Sequence, residues 1–106
     1  MDMKTADKTD AKAIAAELDG MSLSIVIPAY NEEGAVRETI EHVREAMDPQ
    51  GIPYEIIVVD DGSEDRTLEI ARETGVIVDS NQVNTGYGAS LKRGIKKAQY
   101  EYVAII

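Results

Sequence analysis

Three stretches of the sequence carry side chains suited to holding a ligand: 28-PAYNEE-33, 60-DDGS-63 and 84-NTGYGASLK-92. Tyr30 offers a flat face on which a nucleobase can stack. A carboxylate accepts from the ring N–H of uracil, or from the N1–H and N2–H pair of guanine. Asp61, leaving a strand towards a crevice, suits that task. Gly86 and Gly88 let backbone approach closely just before a helix, where free N–H groups attract anions. Lys92, on the first turns of that helix, is placed to reach a phosphate. Together these residues describe a nucleotide pocket with a base end and a phosphate end.

Structural roles compete for several of the same residues. Asn31 is a good helix N-cap, and Glu32 and Glu33 behind it suit the helix dipole. Ser63, Glu64 and Asp65 open the next helix by the same logic, and Asp60 can accept backbone N–H bonds in its turn. Asp61 stands apart, because Ser63 already supplies the cap. The basic residues Lys92, Arg93, Lys96 and Lys97 read as a solvated helix face.

The elements that must position these groups follow from hydrophobic spacing. Leu23–Ile27 is a short apolar strand ended by Pro28. Val36, Ile40, Val43 and Met47 recur at steps of four, three and four, which predicts an amphipathic helix. Tyr54–Val59 is a second strand, Leu68 and Ala71 mark a second helix, and Val76–Val78 is a third strand. A loop at 79–88, a helix on Leu91, Ile95 and Ala98, and a strand at Tyr102–Ile106 complete the chain. Near-continuous apolar strands alternating with helices predict an α/β, Rossmann-like fold: a mostly parallel sheet with helices on both faces. In such sheets ligands bind beyond the carboxyl ends of the strands. That rule gathers Tyr30, the paired aspartates and the Gly86–Gly88 loop on one rim.

Composition narrows the function classes. The 106 residues suffice for one small domain, and 43% are hydrophobic. A net charge of −9 repels phosphate backbones, which disfavours nucleic acid as a partner. The absence of cysteine excludes disulfides, zinc thiolates and thiol nucleophiles, and fits a cytoplasmic protein. No stretch approaches the roughly 18 apolar residues of a membrane span. Residues 1–22 read as a flexible or weakly helical arm, with Ala11, Ile14, Ala15 and Leu18 at helical spacing; the domain proper is 23–106.

The stretches 23-LSIVIPAYNEEGAV-36, 54-YEIIVVDDGSEDRT-67 and 84-NTGYGASLKRG-94 resemble, in order and spacing, the N-terminal half of family 2 glycosyltransferases. The similarity is strongest to the dolichyl-phosphate mannosyltransferase-like and polyprenyl-phosphate glycosyltransferase branch. It implies a GT-A fold, represented here by its nucleotide-sugar-binding part and cut at the fourth strand. It also implies that Pro28, Ala29, Tyr30, Glu32, Asp60 and Asp61 hold the nucleoside of a UDP- or GDP-sugar. Gly86, Gly88 and Lys92 would flank that nucleotide, and the acceptor would be a lipid phosphate or a saccharide. The family's Asp-x-Asp site for a divalent cation, Mg or Mn, is expected beyond Ile106, as are the catalytic base and the acceptor half. The full-length enzyme is then expected to be membrane-associated. The isolated chain is expected to be inactive and to self-associate through the apolar edge of its fourth strand.

Other readings fit less well. A dinucleotide-binding dehydrogenase needs G-x-G-x-x-G after its first strand, where this chain has 28-PAYNEEG-34. A phosphoacceptor receiver domain needs its acidic pair after the first strand, not the second. The remaining alternative is a stand-alone nucleotide-binding or regulatory module without catalysis.

Overall fold

The computed structural model describes residues 20–106, so the arm expected at 1–22 lies almost wholly outside the described residues. Four parallel strands, β1 (Leu23–Ala29), β2 (Tyr54–Asp61), β3 (Ile77–Asn81) and β4 (Tyr102–Ile105), form one sheet in the order β3-β2-β1-β4. Three helices connect them: α1 (Val36–Met47), α2 (Thr67–Glu73) and α3 (Tyr87–Lys97).

The two-residue period of the strands sorts the core into two layers. Ile25, Ile27, Ala29, Ile56 and Val58 face Val36, Ile40 and Val43 of α1 and Ala71 of α2. Val26, Ile57 and Val59 face the other way, towards α3. Right-handed crossovers require this division. The steps from β1 to β2 to β3 run in one direction and put α1 and α2 on one face. The return from β3 to β4, on the far side of β1, puts α3 on the other. Each fully buried Val or Ile contributes about 1.5–3 kcal/mol, and β2 contributes four such residues in a row, Ile56 to Val59.

The strands run further than their apolar residues. The sequence ends β1 at Ile27 and β2 at Val59, but pairing continues through Pro28↔Val59 and Ala29↔Asp60. It then passes from β2 to β3 through Asp60↔Ser80 and Asp61↔Asn81. Proline is tolerated because its missing N–H faces the β4 side. The Val26 carbonyl, two residues earlier on that side, accepts from Ile106 N–H, and the β1–β4 register ends at Val26↔Ile105.

The α3 contact row also differs from expectation. Ile95 is 48% exposed, whereas Ser90 and Gly94 are buried. A Cβ on Gly94 would lie 2.3 Å from Val26 Cγ1. The glycine thus lets the α3 backbone press directly on the sheet, which brings the start of α3 close to the carboxyl ends of β1 and β2.

Candidate functional site

Alternation along β2 sends its two consecutive carboxylates to opposite faces. Asp61 falls on the α3 face with Ile57 and Val59. Asp60 falls on the α1 and α2 face with Ile56 and Val58. Both are buried, at 4% and 1% exposure.

Asp61 takes four donors, three of them on one oxygen. Its Oδ1 accepts from Thr85 N–H (2.8 Å), Thr85 Oγ1–H (2.8 Å) and Asn81 Nδ2–H (3.0 Å), and its Oδ2 accepts from Gly86 N–H (2.8 Å). Burial pushes this carboxyl up, but the Thr85, Asn81 and Gly86 donors outweigh it and hold it at about 2, below its usual 3.8. The carboxylate is therefore ionised at neutral pH, and Oδ2, with one donor, keeps a free acceptor direction. Loop 82–86 also packs on the backbone of Gly62. There a Cβ would lie 2.6 Å from the Val83 carbonyl carbon, and φ is +73°.

Asp60 has less support. Its Oδ2 accepts from Ser80 Oγ at 3.3 Å, and its Oδ1 is buried with no partner. The expectation that Asp60 braces the turn while Asp61 is left free is reversed. Asp61 braces the loop and also borders the cleft, and Asp60 braces little.

The turns after β1 and β2 form a second assembly. Asn31 N–H donates to Ser63 Oγ (2.9 Å), and Asn31 Oδ1 accepts from Glu64 N–H (2.9 Å). Glu32 N–H donates to Thr67 Oγ1 (2.7 Å). Glu33 N–H donates to Asp65 Oδ2 (3.2 Å), and Glu33 Oε2 accepts from Arg66 N–H (3.1 Å). Asn31 is therefore no helix cap: α1 begins at Val36, and Asn31 sits at φ +50°, a left-handed conformation that asparagine tolerates. Ser63 is no cap either. Asp65 Oδ1 accepts from the Thr67 N–H and hydroxyl at the start of α2; burial pushes this carboxyl up, but the Thr67 bonds and the Glu33 N–H together outweigh it and hold its pKa below the usual value. The motifs NEE and SEDRT serve to clasp each other.

The clasp turns Tyr30 outward, at 42% exposure, on the bank of a cleft of about 430 Å³. Pro28, Ala29, Tyr30 and Glu32 line one side, Asp61 the sheet end, and Asn84, Gly86, Tyr87 and Ser90 the other side. Six of the nine expected residues thus come together. Asp60 does not, being on the opposite face of the sheet. Gly88 and Lys92 are exposed on α3 outside the lining. Gly86 needs its glycine for φ +97°, but a Cβ on Gly88 would meet nothing within 4 Å, so no close approach requires that residue. The expected solvated basic face is broken by Arg93, whose Nε and Nη2 clamp Asp79 at 3.0 and 2.7 Å and tie α3 to β3.

Asn84, Tyr87 and Ser90 escaped the sequence reading. Their one signal was position, since they flank the same two glycines that point to a ligand-bearing loop. The Ser90 hydroxyl is buried without a partner. Among the described residues no helix is long and apolar enough to cross a membrane.

Comparison with known proteins shows the family. A family model described as Glycosyl transferase family 2 matches residues 24–106. The dolichol-phosphate mannosyltransferase of Pyrococcus furiosus is 36% identical over 90 residues, which is 81% of this chain and 25% of that protein. An undecaprenyl-phosphate 4-deoxy-4-formamido-L-arabinose transferase of Edwardsiella ictaluri is 43% identical over 70 residues, 62% of this chain and 22% of that protein. Glucosyl-3-phosphoglycerate synthase of Mycobacterium tuberculosis, solved with Mn2+, UDP and phosphoglyceric acid, superposes with a TM-score of 0.75 at 30% identity. That match covers 91% of this chain and 36% of the synthase. The chain therefore spans about a quarter of the length of these two curated relatives.

Proposed function

The chain belongs to glycosyl transferase family 2, and from that premise we propose that its cleft binds the nucleotide of a UDP- or GDP-sugar. The sugar donor serves transfer to an acceptor such as a polyprenyl or dolichyl phosphate, or a saccharide, in the whole enzyme. The observation that carries this reading is the convergence of an exposed ring, Tyr30, and an ionised acceptor, Asp61, in one cleft beyond the strand ends.

The residues divide the work chemically. Tyr30 stacks on the base. Asp61 Oδ2 uses its free acceptor direction for the base N–H. Glu32, exposed on the rim, accepts from a ribose hydroxyl. The unbonded N–H groups of the first turn of α3 face the phosphate end, and Lys92 adds charge further along that helix.

A divalent cation, Mg or Mn, would offset the charge of the diphosphate leaving group. Among the described residues no three side chains of His, Cys, Asp or Glu converge on such a site. The carboxylates among the described residues therefore form no such site.

The β4 flank, with Tyr102, Val103, Ile105 and Ile106 between 39% and 58% exposed, is the surface through which the chain associates with itself. A sedimentation coefficient independent of concentration would contradict that part.

Tyr30→Ala tests the pocket. The side chain is exposed, so stability should hold, while affinity for UDP or GDP falls roughly tenfold with the lost stacking. Unchanged affinity for both nucleotides would overturn the assignment.

A further inference from the structure

Resting on the nucleotide reading above, we infer that Tyr87 is a second aromatic wall of the cleft, stacking on the face of the base opposite Tyr30. Tyr87 is the first residue of α3 and is 64% exposed, yet it lines the same cleft as Tyr30. A large ring in water at a helix start gains little from helix propensity or packing. Its neighbours Gly86 and Gly88 carry no side chain, and a Cβ on either would meet nothing within 4 Å beyond its own chain neighbours and helix backbone. The ring therefore stands beside open space.

Its position is fixed from below. Asp61 Oδ2 accepts from Gly86 N–H at 2.8 Å, so the residue before Tyr87 is tied to the carboxylate that would read the base edge. Tyr30 follows Ala29, which pairs with Asp60 in the adjoining strand. The base-reading oxygen thus lies at the sheet end, with one aromatic ring on the β1 side and one on the α3 side. Stacking on two faces tolerates any base, while the acceptor at the edge selects a ring that presents N–H. The site would then favour uracil and guanine over cytosine and adenine, whose ring nitrogens at that edge are acceptors.

Amide-shift titrations of the full chain with UDP and uridine, and with GDP and guanosine, test this. Tyr87→Ala should weaken the preferred diphosphate and its nucleoside by the same factor, about tenfold. Tyr87→Phe, which keeps the ring, should stay close to the parent. If Tyr87→Ala binds like the parent while Tyr30→Ala is weak, the second wall is wrong and the pocket stands. If Tyr87→Ala weakens only the diphosphate, or if Tyr87→Phe is as weak as Tyr87→Ala, the contact belongs to a phosphate and the hydroxyl, and the inference falls. If the parent binds neither nucleotide, the pocket reading falls and takes this inference with it.

Discussion

The turn after β1 is tied to the turn after β2 by five hydrogen bonds spread over Asn31, Glu32 and Glu33 on one side and Ser63 to Thr67 on the other. Loop 82–86, across the cleft, is bonded to the sheet end mainly through one carboxylate, Asp61, which takes three donors from the loop and one from Asn81, while Asn81 Nδ2–H also donates to Thr85 Oγ1 (3.0 Å). The first arrangement is distributed and, apart from the bond to buried Thr67, solvent-facing, so no single residue dominates it. The second is concentrated and buried. Hydrogen bonds to a charged group contribute about 1.5–3 kcal/mol each, enough together to offset the several kcal/mol of desolvating a carboxylate. One bank of the cleft is thereby rigid by redundancy. The other bank, with Tyr87 on it, depends on the group proposed to read the ligand.

Substitutions that break the two banks should differ in size. Asp61→Ala strands four donors and should cost about 3 kcal/mol in urea unfolding, with amide shifts through 81–87. Gly62→Ala should follow at about 2 kcal/mol, because its Cβ would meet Val83 backbone at a positive φ. Ser63→Ala removes one bond of five and should cost about 1 kcal/mol or less. Asp60→Asn sharpens the contrast between the paired carboxylates. With one bond at 3.3 Å to lose, it should change stability least. Equal losses for Ser63→Ala and Asp61→Ala would break the comparison.

Acid separates the banks further. Asp61 has a folded value of about 2 against its usual 3.8. A depressed carboxyl stabilises the fold fully above the unfolded value and loses that contribution as pH falls through the folded one. The stability gap between the parent and Asp61→Asn should therefore be widest near neutral pH and close as pH falls towards 2. A gap independent of pH would show that Asp61 is not the ionised anchor of the loop.

Much of this was legible in the sequence. The alternation of apolar strands and helices predicts the order and parallel sense of the elements, and the strand-end rule collects Pro28, Tyr30, Glu32, Asp61 and Gly86 on one rim. Polar residues misled where they pair. Asp60, Asp61, Asp79 and Asn81 look like loop but belong to strands, because the ladder satisfies their backbone and neighbours satisfy most of their side chains. Extending the two-residue period into DD would have put the two carboxylates on opposite faces. The clasp between Asn31 and Ser63 joins residues 32 apart, so local rules read both as caps. Gly94 gave no local signal, since its role is set by Val26 across the sheet.

The most direct test of the central claim is an amide-shift map of the parent chain titrated with UDP and with GDP. The cleft reading predicts saturable changes at Tyr30, Asp61 and Asn84 to Ser90, with residues 42–47 unmoved. Changes centred instead on the apolar groove of about 400 Å³ between α1 and β4, around Val43, Met47 and Ala104, would contradict it, as would no saturable change at all.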